Sequence, residues 1–254
     1  MKGTIMEKRI LVTGGGKGVG AAIVRALAAQ GFDVDFTYRS SSEAARALAQ
    51  ELVEVNPGRT VNGFSLDLAD KGALDAFCER IEGERYFGFV HNAGQSYDAL
   101  TAMMAQDKAE AAMQVNFWSF TRLCKALMRG MLRARAGRIV AIGSVAALQA
   151  TAGNAAYAAT KGALISYART LAIETAKRGV AVNVIAPGFI DTDMLSAYAA
   201  YRDNMEKQIP VGRFAKPEEV AGLAAFLMSE PAGYVTGAVI PIDGGLTAMI
   251  GVHR

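Results

Sequence analysis

Ser144, Tyr157 and Lys161 hold the side chains most able to do chemistry. The serine and the tyrosine lie thirteen positions apart, and the lysine follows four positions later in Tyr157-Ala158-Ala159-Thr160-Lys161. Residues four apart share one face of a helix, so the Lys161 ammonium can sit beside the Tyr157 phenol. A free phenol titrates near ~10, and a cation within a few ångströms can lower that by ~1–3 units. The tyrosine would then exchange its proton near neutral pH while Ser144 donates a hydrogen bond to the same acceptor. The chemistry indicated is proton delivery to a carbonyl oxygen. The Tyr/Lys pair alone also fits an ordinary amphipathic helix with a surface lysine.

A second arrangement lies near the N-terminus. Arg9-Ile10-Leu11-Val12 reads as a buried strand, and Thr13-Gly14-Gly15-Gly16-Lys17-Gly18-Val19-Gly20 leads from it into a helical run. Strand, glycine turn and helix in that order make a phosphate cradle. Glycine lets the backbone approach a ligand closely, and the helix N-terminus offers unpaired N–H groups to an anion. The glycines that set the spacing are Gly14, Gly18 and Gly20, which differs from G-x-G-x-x-G. Turns also use glycine without binding anything.

Taken with His91-Asn92-Ala93-Gly94, Asn116, and Pro187-Gly188 followed by Ile190-Asp191-Thr192, these segments resemble the short-chain dehydrogenase/reductase family from Lys8 to Gly245. Within it the chain looks most like bacterial 3-oxoacyl-acyl-carrier-protein reductases, through residues 137–144, residues 182–194 and Asp243-Gly244-Gly245. The resemblance implies a single Rossmann-like α/β domain, a doubly wound parallel sheet of about seven strands with helices on both faces. It implies NADPH-dependent reduction of a 3-oxoacyl thioester, in fatty-acid or related polyketide or aryl polyene biosynthesis. Lys161 would also hold the nicotinamide ribose hydroxyls. Asn116 would be a fourth catalytic member whose main-chain carbonyl holds a water linking Lys161 to solvent, although a helix asparagine also serves structure alone. Thr192 would contact the nicotinamide carboxamide, with backbone contacts from Ile190 after Pro187 and Gly188. Asp67, with Leu68 beside it, would contact the adenine, although a carboxylate ending a strand is also a common helix cap. Asn92, Ala93 and Gly94 would line the ribose side. His91 departs from the asparagine usual there and implies altered local hydrogen bonding rather than altered chemistry.

Cofactor choice rests on Phe36-Thr37-Tyr38-Arg39-Ser40-Ser41-Ser42. The acid that would hydrogen-bond an NAD ribose is missing at Tyr38, where the family carries it. Arg39 with the Ser40 and Ser41 hydroxyls, and Lys17 in the glycine turn, can pair with a 2′-phosphate. NADP(H) is expected. Separately, either cation also reads as a solvated turn residue.

The elements that must position these groups follow from alternation of short apolar runs with helical periodicity. Strands are expected at 8–13, 33–38, 60–66, 88–91, 138–142, 181–185 and 238–241, and helices at 19–30, 43–55, 70–82, 107–133, 154–178 and 217–228. Asn56-Pro57-Gly58 reads as a helix stop and Pro217-Glu218-Glu219 as a helix start. The chain has 254 residues, 52% of them hydrophobic and 20% charged, enough for one large core and no linker. A net charge of +3 with scattered basic residues gives no support to nucleic-acid binding. With no long apolar segment and no leader, no membrane contact and a cytoplasmic location are expected. Cys78 and Cys124 lack metal-ligand spacing, so free thiols and no metal are expected.

Substrate specificity is less legible. Met194, Tyr198, Tyr201 and Met205 can form one face of a helix that serves as a substrate lid or docks on its own core. Gln95 and Gln149 fall near the expected pocket rim. Arg135 and Arg178 match, position for position, two arginines with which this reductase group docks an acidic acyl carrier protein, and they are expected near the active-site mouth. The helices at 107–133 and 154–178 resemble those through which relatives build homotetramers. A reductase of a free ketone, sugar or secondary alcohol, and a non-catalytic dinucleotide sensor, are the alternatives.

Overall fold

Both faces of a parallel sheet must be covered, so its strands read as continuous apolar runs rather than alternating ones. Seven such runs form strands in the computed structural model, which describes residues 8–40, 42–192 and 201–249. They are β1 (Arg9–Thr13), β2 (Asp33–Tyr38), β3 (Val61–Ser65), β4 (Gly88–His91), β5 (Gly137–Ile142), β6 (Val180–Pro187) and β7 (Val239–Ile242). All pair in parallel, in the order β3-β2-β1-β4-β5-β6-β7. The order reverses between β1 and β4, and ligands of such sheets lie beyond the strand C-termini at that reversal. Thr13 and His91 are register partners there, so the glycine turn and the His91-Asn92-Ala93-Gly94 segment leave the sheet side by side.

The helices are α1 (Gly18–Ala29), α2 (Ser42–Val55), α3 (Lys71–Glu82), α4 (Gln106–Met113), α5 (Ser119–Ala134), α6 (Ala155–Thr175), α7 (Arg202–Glu206) and α8 (Pro217–Met228). Ile10 and Val12 join one core with Val24, Leu27, Leu48 and Leu227 from α1, α2 and α8. Leu11, between them in sequence, joins a second core with Leu74, Phe77, Leu123 and Leu164 from α3, α5 and α6. Each such side chain, fully buried, contributes ~1.5–3 kcal/mol. The single-domain doubly wound sheet expected from sequence is the one observed.

Two departures matter for the site. The helix expected over 107–133 is divided by a π-helical turn, Gln114–Trp118, between α4 and α5. A π turn inserts one residue without ending the helix, so the apolar pattern continues through it. Strand β6 runs two residues beyond the expected 185, because Ala186 and Pro187 pair with Pro241 and Ile242. Pro217 opens α8 as read, with the Glu219 carboxylate accepting the Lys216 N–H at 2.7 Å. Cys78 and Cys124 are free. Among the described residues no helix is long and apolar enough to cross a membrane.

Candidate active site

Ser144 lies just past the end of β5, and Tyr157 and Lys161 lie on the first turns of α6. The extended backbone of Ser144 lets its Oγ accept the Ala146 N–H at 3.1 Å, which fixes the side chain at the strand end. The Ser144 hydroxyl lies close enough to the Tyr157 phenol to act on its ionisation. Lys161 is 3% exposed, with Nζ 5.7 Å from the centre of the Tyr157 ring, and it donates to the main-chain carbonyl of Ile142 at 2.8 Å.

These contacts correct the electrostatic expectation. Burial raises the Tyr157 phenol above its ordinary value, the Ser144 hydroxyl opposes the rise, and Asp98 adds to it. The Lys161 ammonium is directed at the Ile142 carbonyl, a partner that no residue type in the sequence reveals. Burial also pulls Lys161 down to about 8.

The π turn buries Asn116 completely. Its Oδ1 accepts the Gln95 N–H at 2.7 Å, while its Nδ2 donates to the Gln95 carbonyl at 2.9 Å and to Thr160 Oγ1 at 2.8 Å. The carboxamide therefore joins the loop after β4 to the turn of α6 that carries Lys161. Thr160 gave no signal in sequence, since a threonine within a helix ordinarily bonds its own backbone. It does that too, donating to the Tyr157 carbonyl at 2.8 Å. Asp98, which accepts from Asn154 Nδ2 at 2.7 Å and acts on Tyr157, was likewise not singled out.

Beside this cluster lies the glycine turn. Gly14 and Gly18 have φ of +66° and +53°, in the left-handed region that favours glycine. Asn92 Nδ2 donates to the carbonyls of Thr13 and Gly14 at 3.1 and 3.0 Å, and the Gly15 N–H donates to the Thr37 carbonyl at 2.8 Å. A Cβ on Gly20 would stand 2.0 Å from the Gly14 carbonyl oxygen, and one on Gly18 would stand 3.6 Å from Thr192 Cγ2. The helix start thus closes directly over the turn, and Thr192 faces it across a gap one side chain wide. Gly16 is buried in the turn, Val19 is half-buried in the first turn of α1, and Lys17 is exposed. A cradle of this kind fits the pyrophosphate of a dinucleotide.

Around the cradle, Arg39 and Ser40 are exposed directly after β2, with no carboxylate at position 38, while Ser41 lies outside the described residues. Asp67 and Leu68 follow β3. Asp70 caps α3 by accepting the Ala73 N–H at 3.0 Å, and Asp67 stays exposed in the preceding turn, accepting the Ala69 N–H at 2.9 Å. Ala93 and Gly94 continue from Asn92, and a Cβ on Gly94 would lie 3.4 Å from Lys161 Nζ. Past β6, Gly188 packs against Asp243, and Ile190 bridges to Ala215. The Arg202 guanidinium grips the Asp191 carboxylate through two bonds of 2.8 and 2.9 Å, tying α7 to the segment that carries Ile190 and Thr192. Tyr201, 63% exposed, precedes α7, and Met205 lies on it. Met194 and Tyr198 of the expected lid face lie outside the described residues. Gln149 Nε2 donates to the Thr247 carbonyl at 3.2 Å, so this glutamine holds the C-terminal segment. Gln95 contributes its backbone to Asn116.

Arg135 and Arg178 lie elsewhere. Arg135 ends α5 with φ of +50° and precedes β5, and its Nη2 donates to the Lys177 carbonyl at 3.2 Å. Arg178 closes the 3-10 turn before β6. Both therefore sit where β5 and β6 begin, whereas Ser144 follows the end of β5. A six-residue strand spans ~20 Å, so the two arginines are at the opposite end of the sheet from their own Tyr157. The expectation that they flank the mouth of that site is corrected: a residue preceding a parallel strand lies at the far end from one following it.

Comparison with known proteins agrees with this geometry. A family profile described as "Enoyl-(Acyl carrier protein) reductase" matches residues 14–247. The chain is 39% identical over 244 residues to the 3-oxoacyl-[acyl-carrier-protein] reductase FabG of Escherichia coli (strain K12), covering 94% of this chain and 97% of that one. Among solved structures, a blue fluorescent protein from a metagenomic library in complex with NADPH superposes with a TM-score of 0.88 at 36% identity, over 94% of this chain and 97% of the other. Acetoin dehydrogenase from Enterobacter cloacae superposes with a TM-score of 0.89 at 29% identity, over 99% of this chain and all of the other. With the parallel sheet, the glycine turn and the Ser144, Tyr157 and Lys161 cluster on one crevice, the chain belongs to the short-chain dehydrogenase/reductase family, whose members use a nicotinamide cofactor.

Proposed function

We propose that the protein is an NADPH-dependent ketoreductase whose substrate is a 3-oxoacyl thioester on an acyl carrier protein. The observation that carries this reading is the convergence of Ser144, Tyr157, Lys161 and Asn116 beside a glycine cradle, in a chain 39% identical to a 3-oxoacyl-[acyl-carrier-protein] reductase. A nicotinamide held beside this cluster by the glycine cradle and Thr192 would supply hydride chemistry at the carbonyl carbon. Ser144 orients the carbonyl oxygen, and Tyr157 delivers a proton as negative charge grows there. A phenol whose pKa burial has raised holds its proton at neutral pH, which suits an acid in the reductive direction. Lys161, released from the Ile142 carbonyl toward the ribose hydroxyls, would place its ammonium beside that phenol as the proton leaves. Asn116 holds Gln95 and Thr160 so that Lys161 keeps its place.

Gly14, Gly16, Lys17, Gly18, Val19 and Gly20 would hold the pyrophosphate, and Asp67 with Leu68 the adenine. Asn92, Ala93 and Gly94 would hold the ribose, and Pro187, Gly188, Ile190 and Thr192 the nicotinamide. Arg39 with Ser40 and Lys17 supports the 2′-phosphate. NADPH should then exceed NADH in kcat/KM, and Arg39→Asp should erase or invert that preference by exchanging an attractive charge for a repulsive one. Steady-state kinetics with both cofactors check this. Equal use of both by the unmodified protein would count against it.

The two long helical segments, α4 to α5 and α6, are our candidate contacts for a homotetramer. Trp118 and Ile173, 51% and 78% exposed on a single chain, are apolar side chains that such an assembly could cover. A carrier protein docked on Arg135 and Arg178 would then serve a neighbouring protomer's site rather than the protomer's own. Replacing both arginines by glutamate should lower kcat/KM for a carrier-bound substrate at least ~10-fold and leave a small thioester analogue unchanged. The defect should shrink at high salt. No loss on either substrate would remove these arginines from carrier docking. The likeness to acetoin dehydrogenase supports a second reading, a reductase of free small ketones.

A further inference from the structure

His91 is buried completely at the end of β4, packed between Phe89 and Phe120 with ring centres 5.9 and 5.3 Å away. Both ring nitrogens have partners: Nδ1 is 3.1 Å from Thr13 Oγ1, and Nε2 is 3.3 Å from the main-chain carbonyl oxygen of Asn116. The first contact fixes the second. Thr13 Oγ1 accepts the N–H groups of Asn92 and Ala93 at 3.1 and 3.2 Å, which fills both of its lone pairs. Its only hydrogen must therefore go to His91 Nδ1. That nitrogen is an acceptor, so the ring proton sits on Nε2 and is donated to Asn116.

We propose that His91 is a positioning residue, held as the neutral Nε2–H tautomer, that braces the main-chain carbonyl of Asn116 against the phosphate-turn strand and so aligns the proton-delivery helix with the cofactor cradle. Two further contacts show what the brace joins. On the Thr13 side, Asn92 holds the Thr13 and Gly14 carbonyls of the glycine turn. On the other, Asn116 holds Thr160, the residue before Lys161. A rigid ring thus links one side of the crevice to the other across the sheet's reversal point. Neutrality follows from the surroundings: burial, with the Lys161 ammonium nearby, holds the imidazole down to about 3. A second cation there would repel Lys161.

The inference rests on the reductase reading for its kinetic consequence, but its structural content is read independently. The chain has two histidines, His91 and His253. Two-bond 15N–1H correlations on the full-length protein, assigned with His253→Gln, should show His91 protonated on Nε2 alone and unchanged from about pH 5.5 to 8.5. Protonation on Nδ1, or titration within that range, would overturn the proposal whatever the protein's substrate. His91→Phe keeps the ring and removes both nitrogens. It should bind NADPH within about threefold of the unmodified protein and lose about tenfold or more in kcat, because a small displacement of the proton donor costs turnover rather than cofactor affinity. His91→Gln, with a donor and an acceptor but no ring, should recover part of that loss. A folded His91→Phe protein with unchanged kcat would reduce the residue to packing and overturn the proposal. If that variant does not fold, the tautomer measurement decides.

Discussion

Tyr157→Phe is expected to bind NADPH as tightly as the unmodified protein and to turn over at least ~1000-fold more slowly. The substitution removes one oxygen from a half-buried ring and touches nothing in the glycine turn. The cradle that would hold the dinucleotide, from Gly14 to Gly20 and across to Asn92, does not depend on it. The proton donor alone is lost. Ser144 keeps its backbone anchor at Ala146, so a carbonyl can still be oriented in the variant but not protonated by a fixed acid. Fluorescence titration with NADPH and single-turnover kinetics measure the two quantities separately. Activity above about a tenth of the unmodified protein would mean that another group delivers the proton.

Gly20→Ala tests the other half of the site, and its effect should be nearly as large. The added methyl would stand 2.0 Å from the Gly14 carbonyl oxygen and 2.6 Å from Asn92 Nδ2. No side-chain rotation relieves contact with a backbone oxygen, so the turn and the start of α1 must move apart. Overpacking of this kind costs ~1–3 kcal/mol, equivalent to a Tm lower by several degrees. The same movement misaligns the N–H groups that would meet the pyrophosphate, and the Kd for NADPH should rise at least ~100-fold. Gly222→Ala in α8 is the control. Nothing lies within 4 Å of its Cβ position, and alanine suits a helix interior better than glycine. If Gly20→Ala left NADPH affinity within threefold, close packing of the turn would not be what shapes the cradle.

The sheet was legible because parallel strands covered on both faces leave apolar runs that cannot be placed elsewhere. Ile10, Leu11 and Val12 point to opposite faces in turn, yet all three are fully buried. The pairing of Tyr157 with Lys161 was legible because residues four apart share a helix face, while Ser144, thirteen positions earlier across a loop, was joined to them by resemblance to the family. What escaped the sequence was carried by the backbone itself. The Ile142 carbonyl that holds Lys161 belongs to no residue type, and a π turn adds one residue without disturbing the apolar stripe on either side. Asp67 and Asp70 are both plausible caps by type, and only the Ala73 N–H distinguishes them. His91 stood out as a departure from the family's asparagine, but its role depends on how many hydrogen bonds Thr13 already accepts, which composition does not record. Arg135 and Arg178 were misplaced for a different reason. Their match to carrier-docking positions came from resemblance, while the direction of β5, available from its parallel pairing, sets them apart from their own Tyr157.

The most direct test of substrate class is a comparison of NADPH oxidation by the purified protein with an acetoacetyl thioester, carrier-bound and as a small analogue, and with a panel of free ketones that includes acetoin. We expect kcat/KM for the thioesters to exceed that for every free ketone by at least ~10-fold, the carrier-bound form being preferred. Rapid reduction of a free ketone with slow reduction of both thioesters would contradict the proposed function.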